Sequence, residues 1–117
     1  MDQLEQYRQV IKNVLTHHYE LVTNQSSEGN SSEVRDRLAF DDRYHNYLWF
    51  RFGWQGKQQV QYIIVYLSIK KGKIWVETDA TNFGIVDELL AAGIPKTDIV
   101  LGFHPPHKRL LTEFAPA

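Results

Sequence analysis

The stretch from Gln59 to Ile69 constrains the fold of this chain more than any other. It is dense in β-branched and aromatic residues and lies between two turns, Gly53-Trp54-Gln55-Gly56-Lys57 and Lys70-Lys71-Gly72-Lys73. Extended as a strand, it places Val60, Tyr62, Ile64 and Tyr66 on one side and Ile63, Val65, Leu67 and Ile69 on the other. A sheet with one face in water alternates more cleanly between apolar and polar residues. Either helices cover both faces of this strand, or another molecule covers one of them.

Its neighbours are strand-like as well. Tyr44 to Trp54 carries two interleaved sets, Leu48, Phe50, Phe52 and Trp54 against Tyr47 and Trp49, and Ile74-Trp75-Val76-Glu77-Thr78 follows the second turn. Leu38 and Phe40 suggest a short strand ahead of them. Sequential strands joined by short glycine-containing turns form an antiparallel meander. Before it, Leu4, Tyr7, Ile11, Val14, Leu15, Leu21 and Val22 recur at helical spacing, which predicts one amphipathic helix over residues 2–23. The run Thr23 to Ser32 is rich in turn formers and poor in apolar residues, and reads as a mobile loop. After the meander, Asp79 or Thr81 is placed to cap a helix with the apolar face Ile85, Val86, Leu89 and Leu90, and Gly93 ends it. Pro95 opens a short turn that contains Asp98, and Ile99-Val100-Leu101 is a strand or buried coil. The pair Pro105-Pro106 forces an extended corner, because a residue before proline is pushed out of the helical region. The expected fold is α+β, with an antiparallel β-meander of four or more strands packed by an N-terminal and a C-terminal helix.

The 117 residues fit one domain, residues 1–117, and the formal net charge of −1 supplies no global attraction to nucleic-acid phosphates. With no cysteine there is no disulfide, thiolate metal site or thiol nucleophile, which suits a reducing compartment. The start of the chain lacks the basic and apolar regions of a signal peptide, and no apolar run reaches the ~18 residues of a membrane span. A cytoplasmic protein with no membrane association is therefore expected.

Several groups of residues have the types, though not the spacing, that chemistry needs. His104 and His107 are three apart, but the two prolines between them exclude the helical spacing that would aim both imidazoles at one ion, and no third ligand has a diagnostic spacing. Of His17 and His18, one is expected to border the core. Glu77 and Asp79 at a strand end could hold Mg²⁺ in a nuclease, yet the lysine such sites place two residues after the acidic residue is here Asp79 itself. The simpler reading makes Glu77 an exposed strand residue and Asp79 a helix cap. Neither a nucleophile elbow nor a phosphate-cradling glycine loop occurs, and no metal, cofactor or catalytic residue is assigned. The aromatic and basic run Arg43 to Phe52 could stack single-stranded bases, but core packing or a protein interface is favoured.

Long irregular strings also carry a resemblance. The chain opens Leu4-x-x-Tyr7-Arg8-x-x-Ile11 and continues with Gly53-Trp54-x-Gly56-Lys57, Gly72-Lys73-Ile74-Trp75-Val76 and the tail from Ala91 to Ala115. In these it resembles the XisI family, the so-called excision controlling factors of the fdxN DNA element, met mainly in cyanobacteria. The resemblance implies an accessory role with an XisH-like partner and a site-specific recombinase in programmed excision of a DNA element, or a related operon-encoded system. Two places depart from the family pattern. Asp79-Ala80-Thr81-Asn82 stands where Asp-Gly-Thr and an acidic residue are expected, and His107 stands where an acidic residue often follows the double proline.

The leading expectation is a non-enzymatic controlling protein that binds an XisH-like partner. The alternatives are a DNA-binding recombination accessory factor, with direct nucleic-acid binding left open, and a nuclease using Glu77 and Asp79. A homodimer through an apolar sheet face is a further possibility. The candidate partner-binding residues are Phe103, His104, Pro105, Pro106, Arg109 and Glu113, with Phe114 as an anchor. A segment with two prolines cannot supply a regular sheet ladder, so its value lies in presenting a preformed surface at little entropic cost.

Overall fold

A helix of 23 residues, α1 (Gln3–Gln25), lays Tyr7, Ile11 and Leu15 into the core, with Leu4, Val10, Val14, Tyr19 and Val22 beside them. The computed structural model describes residues 2–25 and 33–117. The predicted helix is therefore present, starting one residue later and ending two residues later than expected, and Leu21 points to solvent rather than into the core stripe. The loop expected up to Ser32 falls for the most part on residues 26–32, outside the described residues.

Five strands follow in the order β1 (Arg35–Asp41), β2 (Asn46–Gln55), β3 (Gln58–Lys70), β4 (Lys73–Asp79) and β5 (Ile99–Val100). The first four make the antiparallel meander, and β5 adds a short parallel edge beside β4. The strand foreseen at Leu38 and Phe40 is seven residues long, and Tyr44 belongs to the turn before β2. The tight β3–β4 turn uses Lys71 and Gly72, both with positive φ.

Cross-strand pairing assigns the faces. Tyr47, Trp49, Val65, Leu67, Ile69, Ile74 and Val76 point inward against α1 and against α2 (Ile85–Ala91), which contributes Ile85 and Leu89. The outer face holds Leu48, Phe50, Phe52, Trp54, Ile63 and Tyr66. Ile64 is the pivot: Trp49 pairs with Val65 but Phe50 pairs with Ile63, so Ile64 is an extra residue in a β-bulge. The bulge reverses the parity of β3. Val60 and Tyr62 therefore share the inner side with Val65, Leu67 and Ile69, instead of lying opposite them.

Both α1 and α2 lie on the inner face, joined by His18, which half-buries itself between Glu88 and the ring of Phe83. Gly93, at φ 98°, ends α2, with its N–H donating to Leu90 O and that of Ile94 to Leu89 O, a Schellman arrangement with buried Ile94 as its apolar closure. The N-terminus differs from expectation in detail, because Gly84 occupies the cap position. Asp79 still serves it from a distance. Its Oδ2 accepts from Ile85 N at 2.9 Å and its Oδ1 from Thr81 N and Oγ1, while Thr81 Oγ1 accepts from Gly84 N. Asp79→Ala is expected to cost about 1–2 kcal/mol, the range for losing a helix cap, as read by urea unfolding. A loss under a few tenths of a kcal/mol would show that solvent replaces this carboxylate.

Candidate functional site

The tail begins where β5 leaves the sheet. Gly102 passes so close to β4 that a Cβ there would lie 2.3 Å from Glu77 Oε1, and Phe103 N donates to Val76 O at 3.1 Å. Pro105 is extended, as its proline successor requires, but Pro106 then starts a single helical turn, α3 (Pro106–Arg109), with proline at a position where no N–H is needed. The expected extended corner is thus one residue of extended chain followed by a helix. Pro105 O accepts from Lys108 N and Arg109 N, Thr112 Oγ1 closes the turn onto Arg109 O, and Ala115 N returns to Ile99 O at 2.9 Å. Phe114 packs against the core and Ala115 is buried.

The six candidate residues separate within this turn. Phe103, Pro105 and Pro106 are exposed and His104 is half-buried with its ring against Phe103. Arg109 folds back: its Nε donates to His104 O at 2.9 Å and its guanidinium lies 5.0 Å from the centre of the Trp75 ring, whose surroundings also include Lys70 Nζ at 4.5 Å. Glu113 is exposed and paired with Lys96 at 2.7 Å, a hydrogen bond that holds its carboxyl below the usual range. So Arg109 braces the turn and Glu113 ties it to the segment after α2. The most exposed large apolar side chains are the next two residues, Leu110 at 72% and Leu111 at 85%. Neither leucine is among the residues expected at the partner surface, although a Leu-Leu pair after three basic residues, in a stretch with no periodic apolar face, is a signal for them.

A second open surface is the outer face of β1–β3. Phe52, Trp54 and Ile63 are each at least 40% exposed, Phe50 stacks on Phe52 at 5.9 Å, and Arg37 lies 5.3 Å from the Phe52 ring. The tail shields the β4 side of this face at Trp75, and among the described residues no helix covers the β1–β3 side. The expectation that helices cover both faces of the doubly apolar strand does not hold: among the described residues they cover the inner face.

Glu77 and Asp79 do not converge. Glu77 is the extra residue of a second irregularity, on the outer side with Ser68 Oγ at 3.3 Å and Lys70 Nζ at 2.9 Å, whereas Asp79 pairs with Val65 on the inner side and serves α2. Among the described residues no group of three or more His, Asp or Glu is arranged to hold a metal ion. A cleft of about 270 Å³ beside Trp49, Arg51, Tyr62 and Phe83 contains one strong cation, Arg51, whose Nε and Nη2 are already engaged by Asp36. No helix among the described residues is long and apolar enough to cross a membrane.

A profile of the XisI protein family matches residues 1–116. The chain belongs to the XisI family. Among solved structures, the fdxN element excision controlling factor XisI from Anabaena variabilis is similar to this chain at 52% identity and a TM-score of 0.83, covering 99% of this chain and all of its own. A XisI-like protein from the same organism is similar at 31% identity and a TM-score of 0.85, covering 97% of this chain and 99% of its own. No curated protein matches. Within this XisI-family chain, the departure at Asp79-Ala80-Thr81-Asn82 falls on the loop that caps α2, and the departure at His107 falls on the exposed side of α3.

Proposed function

We propose that this XisI-family chain is a non-catalytic accessory protein of the cytoplasm that controls excision of a DNA element, or a related operon-encoded process, by binding an XisH-like protein. The observation that carries this reading is its likeness, over nearly its whole length, to a protein described as an excision controlling factor. The geometry supports binding rather than catalysis. Its open surfaces, the outer sheet face and the tail with Leu110 and Leu111, carry exposed large apolar side chains, while its acidic residues near strand ends are engaged in separate structural contacts. A net charge of −1 disfavours the alternative of an accessory factor that grips DNA by its phosphates.

Co-expression with an XisH-like protein tests the proposal. The two are expected to purify together and to stay together at high salt, because apolar pairing survives screening that dissolves phosphate contacts. Purification of this chain alone, with retention on DNA that disappears as salt rises, would favour the DNA-binding alternative.

A further inference from the structure

We infer that the tail turn is a projecting plug, and that Leu110 and Leu111 enter an apolar groove whose rim carries carboxylates on the partner protein; this rests on the reading of the chain as a partner-binding accessory. Two features of the turn define that groove. The first is rigidity combined with exposure. Leucines exposed at 72% and 85% are usual on a frayed end, but here the backbone around them is hydrogen-bonded on both sides, from Pro105 O to Lys108 N and Arg109 N before them and from Thr112 N to Arg109 O after. Arg109 pins the turn to Trp75 and His104 O, and Ala115 anchors the far side on Ile99. The backbone that carries the two leucines is thus held in place before binding, which removes its share of the ordering cost from association.

The second feature is charge. The residues leading into the leucines are His107, Lys108 and Arg109, and the acidic residue after them, Glu113, is taken by Lys96. Neither His107 nor Lys108 enters an ion pair among the described residues, and both are exposed. A chain with a formal charge of −1 therefore presents its apolar plug under a local positive field, and the complementary rim is acidic. Phe103 and the two prolines supply further apolar area on the same turn at low entropic cost.

Calorimetric titration of the full-length chain with the purified XisH-like protein decides it. Leu110→Asp and Leu111→Asp are each expected to weaken binding at least about 30-fold, the effect of losing a central apolar anchor, with an unfolding midpoint equal to that of the parent. The double replacement of both leucines by Ala should act in the same direction without adding charge. Lys108→Glu is expected to weaken binding and to flatten its salt dependence. If the parent binds the XisH-like protein and all these variants bind equally well, the plug is not the contact, while the partner reading stands. If the parent does not bind, both fall together. Capture of the parent, but not of Leu110→Asp, by phosphatidylglycerol vesicles would instead assign the turn to a lipid surface and overturn the proposal.

Discussion

Asp36→Ala is expected to destabilise the fold by about 3 kcal/mol, as measured by urea unfolding. Asp36 is 8% exposed and its carboxylate is the hub of the β1–β2 inner face. One oxygen accepts from Arg51 Nε at 2.6 Å, and the other from Arg51 Nη2 at 3.1 Å and Trp49 Nε1 at 3.0 Å. The hydrogen bonds to Asp36 raise the pKa of the Arg51 guanidinium, and Arg51 Nη1 donates to Tyr62 OH. Without Asp36 the buried Trp49 N–H is orphaned and the guanidinium loses its counter-charge. The Arg51 side chain is 31% exposed, so water recovers part of its solvation and the loss stays near the low end for a broken buried pair. Asp36→Asn, which keeps an acceptor for Trp49, should lose less. A loss below about 1 kcal/mol for the alanine variant would mean that this network is replaceable by solvent.

Gly53→Ala is expected to cost at least about 3 kcal/mol, because strain and collision act together. Gly53 has φ 142°, and a Cβ built on it would lie 2.3 Å from Glu33 O and 2.8 Å from Val34 Cα. Those are backbone atoms, held where Glu33 N donates to Trp54 O, so relief requires opening the end of the β1–β2 pair. Gly56 and Gly72 are the controls: their φ values are +63° and +75° with nothing within 4 Å of an added Cβ. Alanine at either should cost only the left-handed penalty of about 1 kcal/mol. Equal losses at all three would show that conformation alone, and not the close approach to Glu33, fixes Gly53.

Much of this architecture is written in local pattern. The stripe Tyr7, Ile11, Leu15 and the sets Tyr47, Trp49 against Leu48, Phe50, Phe52, Trp54 are periodicities that survive into the structure. The faces of β3 were less legible, because parity counting assumes an unbroken ladder and the Ile64 bulge inserts a residue that only the partner strand defines. The parallel edge β5 was hidden for a similar reason: two residues give no period, and their place beside β4 is set by the return of the chain through α2. Asp36 could not be recognised as buried from the string Arg35-Asp36-Arg37, which reads as a solvated edge, since its partners Trp49 and Arg51 are thirteen and fifteen residues away. In the tail, the prolines marked a rigid turn, but which side chains it displays follows from Arg109 folding onto Trp75, a contact between elements distant in sequence. Arg109 and Glu113 therefore hold the surface, and Leu110 and Leu111 are its most exposed apolar part.

Apolar pairing with an XisH-like protein, as proposed for this XisI-family chain, and gripping of DNA by its phosphates respond differently to salt. The most direct measurement is the affinity for that protein and for duplex DNA across a range of salt concentrations. Tight binding to the protein that weakens only modestly as salt rises is expected, with DNA binding that is weak throughout. Tight DNA binding whose logarithm falls steeply with the logarithm of salt, together with no measurable affinity for the XisH-like protein, would contradict the proposed pairing.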